Sequence, residues 1–177
     1  MKIVNKCLII QALIGYLILT VNVTFCQTIS QNTTCNNAIC ISSGSQYSYV
    51  ASIGNNYSET GPSYGCLVTQ RNPAWFYFYA NTSGDIQIQM SSNPCRDIDF
   101  ICWGPFNSKD EGCNGGLTNE KIIDCSYNIG CIETCDIQVI AHKWYFLLTT
   151  NFSNQICSIT IGQTSGTGII RCNSNPR

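Results

Sequence analysis

The chain has 177 residues, with nine Lys and Arg against ten Asp and Glu and a net charge of −1 at pH 7. This length fits one domain behind a short leader. Only 11% of the residues are charged, and no basic patch is available for phosphate contacts, which excludes nucleic acid as the expected partner.

Residues 1–26 have the pattern of a secretory signal peptide. Two lysines precede a mostly apolar run over 7–23, and small residues lie near its end. This order of features is typical of a cleaved signal. An uncleaved membrane anchor is the alternative, and polar Gln11 and Asn22 within the run argue against it. We therefore expect secretion, cleavage after Cys26, and no membrane span in the mature protein.

The mature chain divides into a polar N-terminal arm (27–45), a β-sandwich domain (46–172) and a polar tail (173–177). Short apolar or alternating runs bounded by turn residues predict strands at 46–53, 74–80, 85–90, 97–103, 136–141, 143–150 and 157–162. No run has a sustained helical period, and one short helix is expected within 114–123. The pattern predicts an all-β, jelly-roll-like β-sandwich of about 7–9 strands.

Two segments between these strands have turn chemistry. The stretch 54–71 is rich in Gly, Asn and Ser and is expected to be a long surface loop. Asn81-Thr82-Ser83-Gly84 is expected to be the turn of a β-hairpin between the strands on either side.

Eleven of the thirteen cysteines follow the signal segment: Cys35, Cys40, Cys66, Cys95, Cys102, Cys113, Cys125, Cys131, Cys135, Cys157 and Cys172. The chain has one histidine and no C-x-x-C pair, which argues against zinc. An exported chain of this kind is expected to form about five disulfides. Cys35 with Cys40, and Cys131 with Cys125 or Cys135, are plausible local pairs. The odd cysteine is either a buried free thiol or a link to another chain.

Four Asn-x-Ser/Thr triplets are candidate N-glycosylation sites in this secreted chain: Asn32, Asn56, Asn81 and Asn151. If the protein is a glycoprotein with glycans at all four sites, each of these Asn residues is expected to lie on the surface.

A resemblance to a known family rests on Asn72-Pro73-Ala74-Trp75-Phe76-Tyr77-Phe78 and on Asp97-Ile98-Asp99-Phe100-Ile101-Cys102-Trp103-Gly104-Pro105-Phe106, followed in order by 124–127 and 145–153. Over 35–172 the chain resembles a domain of large secreted surface proteins of Bacteroidota, found beside adhesin and gliding-motility modules. More distantly, it is similar to the pre-peptidase C-terminal domain, a β-sandwich. The resemblance implies an extracellular accessory or adhesive module with no known chemistry. The chain is richer in cysteine than that family.

Asp97 and Asp99 are the candidate metal ligands. Two positions apart on a strand, they are expected to face the same way. Two carboxylates and nearby carbonyl oxygens can hold Ca²⁺, whereas the alternative is a structural role in capping loops. Their spacing does not suit the acid and base of a glycosidase, and no other cofactor is expected.

Five aromatic residues in or beside loops are candidate ligand contacts: Tyr57, Tyr64, Trp103, Phe106 and Tyr127. Loop Tyr and Trp side chains can stack on a sugar or anchor a protein partner. The alternative is that they pack the loops onto the sandwich.

The expected function is that of a secreted, non-enzymatic structural or adhesive module. His142, the single histidine, is expected in an exposed turn, so a hydrolase site is not indicated. The expected partners are other copies of the chain, in a self-assembling surface layer or fibre, or other surface proteins and glycans. The alternatives are a carbohydrate-binding, calcium-assisted domain and an accessory domain of a secreted hydrolase.

Overall fold

The computed structural model describes residues 32–172 and the backbone of two short segments, β1 (Cys7–Ile10) and β2 (Val23–Cys26), which pair antiparallel. The rest of the predicted signal peptide, residues 27–31 and the predicted tail at 173–177 lie outside the described residues. The described part of the chain contains no helix with both the length and the apolar character of a membrane span.

Ten further strands make up the body of the molecule. They are β3 (Ile39–Cys40), β4 (Gln46–Val50), β5 (Pro73–Thr82), β6 (Gly84–Asn93), β7 (Asp99–Phe106), β8 (Ile122–Ser126), β9 (Ile132–Val139), β10 (Trp144–Thr150), β11 (Ser158–Gly166) and β12 (Ile169–Arg171).

In the part of the chain from 32 to 172, the helical structure is limited to short turns. α1 (Lys109–Glu111) begins after Ser108, whose Oγ accepts a hydrogen bond from the backbone N–H of Glu111 at 3.1 Å. It leads into an irregular turn at Gly112–Gly116, and a 3-10 turn follows at Asn119–Lys121. The helix expected within 114–123 is therefore not continuous, because Gly115 has a φ of 97° and ends the helical path.

The strands form two sheets with jelly-roll topology. One sheet has the order β12–β5–β10–β7–β8, with β3 also paired to β5, and the other has the order β4–β11–β6–β9. The antiparallel pairs nest: β4 with β11, β5 with β10, β6 with β9 and β7 with β8. This nesting over two packed sheets is the jelly-roll arrangement. The predicted jelly-roll-like β-sandwich is confirmed, and β3 and β12 are short additions to its eight strands.

The central strands β5, β10 and β7 of the six-stranded sheet are buried on both faces. The inner face of this sheet packs on the four-stranded sheet, with Phe76, Phe78 and Leu147 among the core residues. Its outer face lies under residues 32–38, 54–71 and 107–121, which are named here the covering layer. Beneath this layer, Trp75 and Trp103 of the sheet stack with ring centroids 5.4 Å apart. Double burial explains why β5, β7 and β10 are nearly continuous apolar runs rather than alternating ones.

The four-stranded sheet has one face in the core and one face open. Ile86, Ile88 and Met90 of β6 are buried, while the side chains between them are polar. This alternation is the pattern expected of a half-buried strand. Within residues 32–172, no further layer covers the outward side of this sheet.

The expected hairpin at 81–84 is wrong. β5 and β6 are separated only by Ser83, yet they belong to different sheets and do not pair. Gly84, with a φ of 150°, allows the chain to turn from one sheet to the other. Phe78 of β5 and Ile86 of β6 both lie in the core between the sheets, because the two strands face each other across it.

Within residues 32–172, four disulfides fasten the structure: Cys35–Cys113, Cys40–Cys172, Cys66–Cys125 and Cys95–Cys131. The local pairs suggested by spacing are wrong, because each bridge joins segments between 36 and 132 residues apart that the fold brings together. Within the described residues Cys102, Cys135 and Cys157 are buried and unbonded, which leaves four bridges rather than five. A chain with four disulfides suits an oxidising compartment.

Candidate functional site

The two aspartates expected to bind calcium do not share a strand face. Asp97 precedes β7, and its Oδ1 accepts a hydrogen bond from the backbone N–H of Gly130 at 2.8 Å. Asp99 begins β7, and its Oδ2 accepts from Oγ1 of Thr150 at 3.4 Å. Residues 32–172 contain no group of three or more His, Cys, Asp or Glu that could hold a metal ion. The structure lends the calcium site no support, and Asp97 takes the alternative role of capping a loop.

Asp99 is an acid held in the protein interior. Its side chain is only 2% exposed. Burial, and then repulsion from Asp97 and Glu133, raise the pKa of Asp99 from 3.8 to about 7. Burial also raises the pKa of Glu133 on β9. The side of the sandwich where β7 meets β9 therefore holds two carboxyl groups that resist ionisation, neither of them open to a ligand in solution.

Two of the five candidate aromatic contacts are interior residues. Trp103 and Phe106 lie on β7, not in a loop, and both are buried under the covering layer. The Nε1–H of Trp103 donates to the carbonyl oxygen of Ser63 at 3.0 Å, which ties the covering layer to the sheet. Because neither ring reaches solvent, the prediction that they contact a ligand is wrong.

The other three candidates are loop residues with different surroundings. Tyr64 is half-buried, and its hydroxyl donates to Oγ of Ser58 at 2.9 Å. Tyr127 is half-buried against Phe152, with ring centroids 5.3 Å apart. Tyr57 is 59% exposed. Packing of loops onto the sandwich thus accounts for Tyr64 and Tyr127, and Tyr57 alone of the five is free to meet a partner.

His142 lies in the turn before β10, as expected. It has a φ of 64°, its backbone N–H donates to the carbonyl of Ala80 at 2.7 Å, and its Nδ1 lies 2.9 Å from the hydroxyl of Tyr79. Both contacts hold the turn between β9 and β10 against β5. The geometry places no Ser, Thr or Cys nucleophile among these partners.

The four candidate glycosylation sites divide into two exposed and two buried. Asn56 is exposed and Asn81 is half-exposed. Asn32 and Asn151 are each 0% exposed. The Nδ2 of Asn32 donates to the carbonyl of Trp75 at 2.8 Å, and that of Asn151 donates to the carbonyl of Gln155 at 2.9 Å. The requirement that all four sites lie on the surface is therefore not met.

Glycan occupancy follows from this burial. In folded protein secreted from a glycosylating host, we expect glycans at Asn56 and Asn81 and none at Asn32 or Asn151, because a glycan on a buried Nδ2 displaces its hydrogen bond and its packing. Glycopeptide mass spectrometry checks this, with Asn56→Gln as the variant that should lose one glycan. A folded fraction carrying a glycan on Asn151 would contradict it.

A cleft of about 430 Å³ opens within the covering layer. It is lined by Cys35, 59–63, 112–113, Gly115 and 117–119, and its titratable side chain is Glu59, whose Oε1 accepts from the backbone N–H of Cys35 at 2.6 Å. This lining offers no second acid or base beside Glu59, so it does not provide the paired groups of general acid–base chemistry.

The open sheet edge at β4 is the feature best suited to binding. β4 is the terminal strand of its sheet and pairs with β11 alone within 32–172. The backbone N–H of Ala51 donates to Cys157 at 3.0 Å, so alternate residues of β4 bond to β11. Consequently the backbone N–H and C=O groups of Gln46, Ser48 and Val50 point away from β11, toward the edge.

The side chains of β4 do nothing to block this edge. Native proteins protect edge strands with charges, proline or bulges. The strand reads Gln-Tyr-Ser-Tyr-Val, with none of these. Its end is flanked by the exposed apolar side chains of Val50, Ile53 and Ile156, the last of them 62% exposed. An uncharged strand beside such side chains is suited to accept another strand.

The edge adjoins a mostly uncharged outer surface on the same sheet, named here the polar face. Its members are Gln46, Ser48, Gln87, Gln89, Ser91, Thr134, Thr160 and Thr164. Ser48 and Thr160 hydroxyls lie 2.7 Å apart, and Oγ1 of Thr164 donates to Oε1 of Gln87 at 3.0 Å. Asp136, at the margin, accepts from Nε2 of Gln87 at 2.9 Å. The polar face therefore presents amide and hydroxyl groups in regular rows.

No family model and no curated protein matches the chain. The resemblance to Bacteroidota surface domains therefore stays a prediction, and the function is inferred from the geometry of the molecule.

Proposed function

We propose that this protein is a secreted, non-enzymatic module that associates with a second copy of itself through the open edge of β4, in an extracellular structural or adhesive assembly. The observation that carries the proposal is the uncharged β4 strand, whose outward backbone groups pair with no other strand within residues 32–172. Secretion is supported by the four disulfides and by the signal-like residues 1–26.

A symmetric pair forms if two β4 strands run antiparallel with Ser48 opposite Ser48. The two four-stranded sheets then become one continuous sheet, and the contact is the same surface on both copies. Neutral side chains meet across the two-fold axis, so no like charges oppose each other. The apolar residues Val50, Ile53 and Ile156 flank the new ladder, and their burial adds to its stability.

Proline at position 48 tests the proposal. The N–H of Ser48 points outward, so Ser48→Pro leaves the ladder to β11 intact, removes an outward donor and places a ring in the pairing plane. We expect the wild-type protein to dimerise and Ser48→Pro to weaken the dimer affinity by about tenfold or more. A loss of about 1.4 kcal/mol in the free energy of dimerisation lowers the affinity tenfold. Sedimentation equilibrium measures the difference.

Ser48→Ala is the matched control, because it removes the hydroxyl contact with Thr160 and leaves the edge open. It should dimerise like the wild type. Near-ultraviolet circular dichroism shows whether each variant keeps the native packing. A wild-type protein that remains monomeric at high concentration, or a dimer that Ser48→Pro does not weaken, would rule out association through β4.

Glycan binding at the polar face is the second candidate function. Rows of amide and hydroxyl groups at strand spacing can donate to and accept from sugar hydroxyls, and the face has no positive charge. Gln89 lies near its centre, between Gly162 and Thr134 in the sheet register. Retention on a glycan array that is lost in Gln89→Ala, with the dimer unchanged, would favour this function over edge pairing.

A further inference from the structure

Two buried thiols meet in the core between the sheets. Cys102 lies on β7 of the six-stranded sheet, and Cys135 lies on β9 of the four-stranded sheet. Both side chains are 0% exposed and belong to the same core. Strands β7 and β9 contact each other across the core between the sheets, and the side chain of Cys102 is close enough to raise the pKa of the Cys135 thiol. They are therefore placed together, although no bond joins them here.

Asp124 fixes the strands that carry these thiols. It lies opposite Cys102 in the ladder between β8 and β7. Its Oδ2 accepts from the backbone N–H of Asp136 on β9 at 2.9 Å, and its Oδ1 accepts from the N–H of Cys125 at 2.8 Å. One carboxylate thus links the edge of one sheet to the edge of the other, one residue away from Cys135. This link aligns β9 with β7.

The four observed disulfides leave the two sheets without a covalent connection. Cys40–Cys172 and Cys95–Cys131 each join segments of one sheet, and Cys66–Cys125 joins the covering layer to β8. Cys35–Cys113 lies within the covering layer. Within residues 32–172, Cys102 and Cys135 are unbonded cysteines on contacting strands of the two different sheets, and Asp124 holds those strands in place beside them.

We propose that Cys102 and Cys135 form a fifth disulfide, which ties the two sheets of the sandwich together. The two thiols lose their hydrogen atoms and form one sulfur–sulfur bond. A disulfide of the secretory compartment, small-molecule or protein, accepts the two electrons and two protons and is released as two thiols. Of the eleven cysteines in the described domain, only Cys157 then remains free.

The bond forms before the sheets close. The thiolate is the species that attacks a disulfide. In the folded protein, the neighbouring side chain of Cys102 and burial raise the pKa of the Cys135 thiol, and no oxidant reaches two fully buried sulfurs. Exchange in the native state is therefore slow, and oxidation belongs to the folding chain in the secretory compartment.

The peptide that contains Cys102 provides the test. Protein secreted from an oxidising host is unfolded in guanidinium without reductant, treated with iodoacetamide and cut after Lys and Arg. The segment 97–109 then holds Cys102 alone, and 144–171 holds Cys157 alone. We expect 97–109 to be unalkylated and linked to 122–143, and 144–171 to be alkylated. Alkylated 97–109, in material whose four other bridges are intact, would overturn the proposal.

Two variants make the result independent of folding yield, because both are read after unfolding. In Cys135→Ala, Cys102 loses its partner, and 97–109 should become alkylated. In Cys157→Ala, the linkage of 97–109 should persist and no other peptide of the domain should gain a label. If 97–109 stays linked in Cys135→Ala, the partner of Cys102 is a different cysteine and the proposal fails.

Discussion

Replacing Cys66 and Cys125 together by alanine should lower the free energy of unfolding by about 4 kcal/mol, the loop-closure value for a bridge spanning 59 residues. The loss should be concentrated in the covering layer. This bridge fastens 54–71 to β8, over the stacked rings of Trp75 and Trp103. Without it, we expect the layer to open in the native state and to admit water to the two indoles.

Tryptophan fluorescence and denaturant titration measure the two effects separately. The native emission of the double variant should shift to longer wavelength, because Trp75 and Trp103 are fully buried in the wild type. Replacing Cys95 and Cys131 together is the matched control: it also removes one bridge, but from the end of the four-stranded sheet. The control should lose stability with unchanged emission. Equal emission from both variants would show that the bridge does not hold the layer closed.

Asp99→Asn should stabilise the protein above neutral pH by up to roughly 4 kcal/mol, the free energy that corresponds to raising the pKa from 3.8 to about 7. The folded state binds the Asp99 proton more tightly than the unfolded state does. Its contribution is therefore most favourable below about pH 4, falls as the pH rises to about 7, and is constant above that. An amide keeps an oxygen for the Thr150 hydroxyl and carries no charge.

Thermal unfolding between pH 4 and pH 8 tests this sign. The wild type should lose stability across that interval relative to Asp99→Asn, and the two should converge at the acid end. Asp110→Asn is the control, because it removes one negative charge from an exposed site in α1. It should follow the wild-type profile. A variant that is less stable than the wild type at pH 8 would mean that Asp99 is stabilised as the carboxylate.

The fold class could be predicted because burial leaves its pattern in each strand. Apolar and polar residues alternate along β6 because one face of that strand is exposed to solvent. They do not alternate along β5 because both of its faces are covered. The pairing of strands leaves no such pattern. The segment 81–84 has the composition of a hairpin turn, but Phe78 and Ile86 can be buried equally well in one sheet or across two. Only the pairing of the strands shows that the core lies between two sheets here. The strands β8 and β12 are too short, and have too few apolar residues, for the sequence pattern to predict them.

The candidate site was hidden for a related reason. The sequence predicts a strand over 46–53, of which β4 occupies Gln46–Val50, but whether a strand lies at an edge depends on its neighbours and not on its own residues. The lack of charge and proline in β4 was visible and becomes meaningful only once the edge is known. In contrast, Trp103 and Phe106 are predicted in or beside loops as candidate ligand contacts, because nothing in their local sequence shows that a second layer covers β7.

The bridge between Cys40 and Cys172 gives the domain a mechanical property. β3 and β12 lie one after the other along β5, so the points where the chain enters and leaves the sandwich are neighbours, joined by sulfur across 132 residues of sequence. Tension applied to the flanking segments passes through that covalent link and bypasses the hydrogen-bonded ladders. Pulled from its two ends, the module transmits force without unravelling, until a reductant cuts the link.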